Sequence, residues 1–295
     1  MRYAVSVPPF ADFFQPRVLA ELAREAEHAG WDGFFVWDHV LLWPTPICDT
    51  WVALAAIALA TEHIRIGPVV TPLPRRRPVK LAREAVSIDH LSGGRLILGI
   101  GSGAGPWEYD YLGEQPSPKV RGEMLDEALD LLVRLWTGEP LIFDGRFYTF
   151  RGDLGPGRPD RAPTPLLPRP VQEPRIPIWV AGSWPIKAPF RRAARWDGVA
   201  PLKAGAGFGE PPTPEDTRAI AEFCAAHRTA DTPFDILSGG HTDGPADTSV
   251  PRAHAANGAT WWIEDISPWP FGWQWQGPWP VEAMRARIRA GPPAA

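Results

Sequence analysis

Gly30-Trp31-Asp32-Gly33-Phe34-Phe35-Val36-Trp37-Asp38-His39-Val40 is the stretch on which the fold of this 295-residue chain turns. Gly30 follows an amphipathic run whose apolar positions, Leu19, Leu22, Ala23 and Ala26, keep the i, i+3, i+4, i+7 spacing of one helix face. A glycine there closes a helix, because it enters the left-handed conformation without steric cost. The apolar succession from Phe34 to Trp37 then predicts a strand covered on both faces, as in a parallel sheet flanked by helices. Asp38 and His39 mark its carboxyl end, where α/β folds carry their reactive side chains.

Outward from that stretch the same alternation repeats. Arg2–Val7 reads as a strand stopped by Pro8-Pro9, and the segment 50–61 as a helix after a proline-containing loop that holds Trp43. His63–Thr71 is the third strand, Pro78 opens a helix that runs to Leu91, and Arg95–Gly101 is the fourth strand. A polar, glycine-rich loop over 102–118 precedes a helix from about Lys119 to Thr137, striped by Leu125, Ala128, Leu129, Leu132 and Trp136. Segments 141–143 and 147–150 around Asp144-Gly145 predict a hairpin with an I′-type turn, and 152–175 a Pro/Gly-rich surface excursion. Strands then follow at 176–181, 198–201, 234–238 and 259–263, each with a helix behind it. Eight strand–helix pairs predict a (β/α)8 TIM barrel, one domain over 1–295, with the hairpin and insertion after helix four.

Composition narrows the function. A net charge of −4 and a single tight basic run, Arg75-Arg76-Arg77, argue for a solvated loop there and against nucleic acid. Cys48 and Cys224 lack metal or redox spacing, so reduced, unpaired thiols are expected. Neither a leader-like segment nor a run of about 18 apolar residues occurs, so the expectation is a cytoplasmic enzyme without a membrane span. No H-E-x-x-H or acid-rich cluster supports a catalytic metal.

Gly99-Ile-Gly101-Ser-Gly103-Ala104 matches a loose phosphate fingerprint. A dinucleotide site needs a helix opening at once, whereas prolines 106, 116 and 118 intervene, so the stretch reads instead as a bare strand-four loop open to a flat ligand. Ala181-Gly182-Ser183, followed by Lys187, Arg191, Arg192 and Arg195, is either a phosphate cradle or a tight turn with a solvated basic face. A lone histidine is usually structural, but the strand-end position of His39 favours function. Asp38 either orients that imidazole or holds the strand-end turn. Ser102 lacks the G-x-S-x-G setting of a hydrolase. Trp261, Trp262, Trp269, Trp273, Trp275 and Trp279 crowd the last strand and its loop, where they supply core, an apolar wall for a planar ligand, or a protein contact.

Several pieces together resemble the bacterial luciferase-like (LLM) flavin and deazaflavin oxidoreductases. They are Ala29–Gly33 through Asp38-His39, Ile66–Val70, Leu91–Leu96 with Gly99–Gly103, and Ile178–Gly182 with Ala193–Gly198. The resemblance implies a barrel that binds coenzyme F420 or FMN at its C-terminal face. It places His39 beside a deazaflavin ring, Trp43 on the substrate side, and a non-prolyl cis peptide at Val69–Val70 under the flavin's central ring. Gly101 and Gly103 fall in the cofactor-side loop, and Ala181, Gly182 and Ser183 match the phosphate loop. The family's F420-dependent sugar-phosphate dehydrogenases carry a glutamate where this chain has Ala104, and Glu108 replaces it only if the loop bends inward.

The implied function is F420-dependent hydride transfer to or from a small organic substrate, with His39, Asp38 and Trp43 as the catalytic set. An FMN-dependent monooxygenase is the alternative, followed by a non-catalytic flavin carrier and, last, a hydrolase. A homodimer is the family's analogy.

Overall fold

The computed structural model describes residues 1–42, 45–103, 105–152, 163–205 and 210–293. Trp43, Ala104 and much of the Pro/Gly-rich excursion lie outside the described residues. The chain divides into two compact units, one of residues 1–71, 97–100 and 177–295, the other of residues 72–96 and 101–176.

The first unit carries the sheet. Its strands are β1 (Arg2–Val7), β2 (Gly33–Val36), β3 (Arg65–Pro68), β4 (Leu98–Gly101, whose last residue belongs to the second unit), β5 (Ile178–Trp184), β6 (Gly198–Lys203), β7 (Asp235–Gly240) and β8 (Trp261–Asp265). The order is β3-β2-β1-β8-β7-β6-β5-β4, extended by a two-residue strand, Thr71–Pro72. Parallel registers join the strands, from Gly33↔Arg65 at one end to Leu98↔Ile178 at the other. The gap between β3 and β4 is bridged by the Ile97 N–H, which donates to the Ile66 carbonyl at 2.8 Å. Two glycines permit that closure. A Cβ on Gly67 would sit 1.9 Å from the Ile97 oxygen, and one on Gly99 2.2 Å from the Pro68 oxygen. The predicted eightfold barrel is therefore the observed architecture, with its third strand shorter than the sequence indicates.

Alternate residues of these strands fill the barrel interior: Ala4, Phe35, Ile97, Trp179, Ala200, Leu237, Trp261 and Ile263. Three rings occupy its centre, with Phe35–Trp179 centroids 5.2 Å apart and Trp179–Trp261 5.3 Å apart. Burial of each contributes up to about 3 kcal/mol. The helices of this unit are α1 (Pro16–His28), α2 (Thr50–Ala60), α5 (Lys187–Ala193), α6 (Pro214–His227), α7 (Ser249–Ala256) and α8 (Val281–Arg289). Local chemistry starts them. Asp49 caps α2 by accepting from the Trp51 and Val52 N–H groups at 2.9 and 3.0 Å, and a Thr213/Asp216 capping box opens α6.

The second unit holds α3 (Pro78–Leu91) and α4 (Pro118–Trp136). Trp136 donates from its indole to the Ala82 carbonyl, joining the two helices. Asp89, fully buried, accepts from the N–H groups of Val171 and Gln172 at 2.7 and 3.1 Å and so pins the end of the Pro/Gly-rich excursion. The hairpin pairs Phe143 with Phe150 and Asp144 with Thr149, and the Gly145 N–H donates to the Tyr148 carbonyl at 2.9 Å, so Arg146 and Phe147 lie at the turn. This corrects the expected I′-type turn around Asp144-Gly145, since none of these residues has the positive φ that an I′ turn requires. Glu127 on α4 accepts from the N–H groups of Arg146, Phe147 and Tyr148 and fixes the turn from outside the hairpin.

Candidate active site at the carboxyl ends of the barrel strands

Past the last closed layer of the interior, the inward positions change character. Val69 and Val70, just beyond β3, and Ala181 on β5 pack on that layer, a seat of small, partly buried apolar groups. The Val69–Val70 peptide is cis. Ser6 is one step beyond Ala4 on the inward face of β1, and Asp265 one step beyond Ile263 on β8; the register sets the two side by side. Trp37 extends the inward face of β2 and donates from its indole to the Ser6 hydroxyl at 2.8 Å.

His39 follows Asp38 at the carboxyl end of β2, half-buried between rings. Its imidazole meets Phe10 edge-on at 6.4 Å and Trp37 at 6.2 Å. Asp38 is buried, and its Oδ2 accepts from the Thr71 hydroxyl at 2.7 Å. That bond braces the end of β2 against the residue that follows Val69–Val70, so Asp38 holds the strand ends on which the seat is built. Trp37 is fixed from behind as well, since its carbonyl accepts from the Thr50 hydroxyl at 2.6 Å.

Ala181, Gly182 and Ser183 differ from their expected position in a loop. Strand β5 continues to Trp184, and these residues pair with Ala200, Pro201 and Leu202 because β6 runs equally far. Register with β4 stops at Ile100↔Val180, so beyond Val180 the strand has a registered neighbour on one side only.

In the second unit the glycine-rich loop has a structural account. A Cβ on Gly103, at φ +82°, would lie 1.7 Å from the Tyr109 hydroxyl oxygen. Tyr109 is fully buried, donates to the Ser102 carbonyl at 3.0 Å, and has its hydroxyl pKa pushed up to about 12 by burial. Gly103 thus makes room for the chain's own tyrosine. Arg75, expected to be solvated, is instead buried, its Nη1 3.0 Å from Oε1 of the equally buried Glu108. An internal ion pair explains why a basic residue after β3 leaves solvent, and it engages the carboxylate that the sequence offered in place of the glutamate at position 104.

Beyond β8 the aromatic rings form a connected surface. Trp269 stacks on Trp37 with planes 10° apart and centroids at 6.2 Å, Trp275 meets Trp269 at 5.2 Å and Trp273 at 5.6 Å, and Trp279 meets Phe10 at 5.3 Å. Sequence reasoning missed Trp37, Phe10 and Asp265 as parts of this site. The period-two continuation Phe35, Trp37 and Trp261, Ile263, Asp265 was the available signal for two of them. Also missed was the buried cluster beneath the loop. Glu264 accepts from the Thr242 N–H at 2.7 Å, the Trp262 indole at 2.9 Å and Arg287 Nε at 3.2 Å.

The strand-end position of His39 and the cis Val69–Val70 peptide just beyond β3 are as the resemblance implied, and residues 3–230 match the luciferase-like monooxygenase family. The chain belongs to that family. Among this luciferase-like chain's relatives is an F420-dependent glucose-6-phosphate dehydrogenase of Gordonia bronchialis, 34% identical over 206 residues, covering 67% of this chain and 54% of the relative. The luciferase-like chain thus spans about half the length of the curated relatives it matches. In fold it is similar to the coenzyme F420-dependent tetrahydromethanopterin reductase of Methanopyrus kandleri, with a TM-score of 0.71, 15% identity and 98% of each chain covered. It is also similar in fold to the FMN-bound oxygenating constituent of 3,6-diketocamphane monooxygenase of Pseudomonas putida. There the TM-score is 0.64, the identity 18%, and the coverage 82% of this chain and 68% of that one. Among the described residues no group of three or more His, Cys, Asp or Glu is placed to hold a metal, and no helix is long and apolar enough to cross a membrane.

Proposed function

We propose that this luciferase-like protein is an oxidoreductase that uses coenzyme F420 for hydride transfer to or from a small organic substrate. The observation that carries the reading is the seat itself: Val69, Val70 and Ala181 pack on the closed barrel interior, and His39 meets Trp37 at the carboxyl end of β2. Small apolar side chains backed by a filled core suit one face of a flat tricyclic ring and exclude water from beneath it. Ala181, Gly182 and Ser183, lacking a second registered neighbour, suit the polar tail of such a cofactor, with Lys187 nearby on α5. The F420-dependent relatives support the same choice.

When bound, a deazaflavin would give or take the hydride, according to the direction of the reaction. The protein's part is to position and to move a proton. His39, bracketed by Phe10 and Trp37, presents an imidazole nitrogen for proton transfer at the carboxyl end of β2. Asp38 acts through the backbone, keeping the ends of β2 and β3 in place through Thr71. Trp43 lies outside the described residues, and its substrate-side role is part of the proposal.

Anaerobic titration of the cofactor-free protein with F420 and, separately, with FMN tests the reading. Saturable binding of F420 in preference to FMN is expected. Saturable binding of FMN alone would replace it with the oxygen-dependent alternative, and binding of neither would overturn it. His39→Ala should lower turnover by roughly 100-fold or more, as for loss of a proton-transfer group, with the fold retained.

A further inference from the structure

The family match ends at residue 230, and the segment beyond it has its own chemistry. From residue 253 to 284 there is no Lys or Arg, while six tryptophans occur. Four of them, with Phe10 and Trp37, form a surface of rings that begins at His39 and runs out to Trp275. Trp275 is 51% exposed and has φ +64°, a conformation in which a bulky side chain is rare, so its packing on Trp269 and Trp273 holds an indole half open to solvent.

We infer that the substrate of the proposed reaction is an uncharged planar aromatic molecule, taken against Trp269, Trp273 and Trp275, and not a sugar phosphate. Indole faces stack on flat rings and give a bare anion nothing. Two cations among the described residues are paired with carboxylates: Lys203, at the end of β6, has Nζ 2.6 Å from Glu210 Oε1, and Arg287 on α8 pairs with Glu264. The inward carboxyl at the mouth is Asp265, whose pKa is raised above its ordinary value by burial. When ionised it repels an anion, and when protonated it donates a hydrogen bond but brings no positive charge to balance a phosphate.

The inference rests on the hydride-transfer reading, and its test separates the two. Calorimetric titrations of the full chain, with and without F420, would use 2-acetylnaphthalene, its anionic near-isostere 2-naphthoate, and glucose 6-phosphate. F420 binding would be followed independently by the cofactor's own absorbance. The ketone should bind at least about tenfold tighter than the carboxylate, and glucose 6-phosphate should give no saturable heat. Trp275→Ala should weaken the ketone roughly three- to tenfold, the loss of a stacking partner. Tighter binding of 2-naphthoate or saturation by glucose 6-phosphate would overturn the inference, as would an unchanged ketone affinity in folded Trp275→Ala. The wild-type comparison of the three probes decides the matter even if that variant does not fold. Failure of F420 to bind while the ketone preference persists would reject the cofactor reading and leave the aromatic site standing.

Discussion

Arg287→Met should loosen the whole C-terminal part of this protein, and the cost follows from what Arg287 touches. Its Nε donates to Glu264 Oε1 at 3.2 Å and to the Thr242 carbonyl at 3.0 Å, Nη2 to the Thr242 hydroxyl at 2.8 Å, and Nη1 to the Gly291 carbonyl at 2.7 Å. One side chain on α8 therefore ties together the loop after β7, strand β8 and the turn that ends α8. Glu264 is fully buried, so removing the guanidinium leaves a carboxylate that water does not reach. Breaking one partner of such a pair costs about 3–5 kcal/mol, most of it the unpaired charge. Glu264 would still accept from Thr242 and Trp262 and keep His241 Nδ1 3.5 Å from its Oε1, which holds the value to the lower part of that range. Glu264→Gln in the Arg287→Met background removes the stranded charge, so the double variant should be less destabilised than the sum of the singles by roughly 2 kcal/mol. Urea unfolding at neutral pH measures all three, and near-ultraviolet circular dichroism reports the tryptophan loop between β8 and α8. A loss below about 1 kcal/mol for Arg287→Met, or strictly additive singles, would refute the account of this cluster.

Further outcomes are expected elsewhere. Gly99→Ala places a methyl against the Pro68 carbonyl oxygen, a backbone atom that cannot swing aside, and should destabilise by about 3 kcal/mol or prevent folding; a soluble variant with an unchanged urea midpoint would contradict the closure geometry. Burial pushes the Cys48 thiol up to about 11 and Cys224 up to about 12, so neither should react quickly with a disulfide reagent at about pH 8 until the chain is unfolded, when both should. His254 is buried, with Nδ1 2.9 Å from both the Thr217 and Ser238 hydroxyls, and desolvation lowers its pKa from the ordinary 6.5. The unfolded chain takes up that proton first, so this contribution is complete above about pH 6.5 and lost as pH falls through 6.5 toward the lowered folded value. A His254→Asn variant should show a flatter acid limb of stability against pH, and an identical limb would exclude His254 as its source.

The barrel was legible in the sequence because its signals are local. A helix stripe ending at Gly30, a run of buried strand residues and a polar break at Asp38-His39 each follow from side-chain period and backbone preference within a few residues. Repeated eight times, they leave one common architecture. The hairpin was legible in the same way, but its turn was not, since Glu127 shapes it from the neighbouring helix α4, outside the hairpin's own sequence.

The sequence by itself determined the parallel strand–helix alternation, the strand-end position of His39 and the family to which the motifs belong. Tertiary structure alone decided what the polar residues do. Arg75 reads as a solvated cation until folding buries it against Glu108, and Asp38 reads equally as a partner for His39 or as a strand-end brace until Thr71 is found on its carboxylate, which gives it the bracing role. Only the register of β1 and β8 brings Asp265 to the mouth beside Ser6, and only ring packing turns scattered tryptophans into a wall next to His39. The reason is physical: periodicity reports whether a side chain faces the core, whereas the partner of a buried charge or the stacking of a ring depends on groups far outside the window of a local pattern, brought together only by folding.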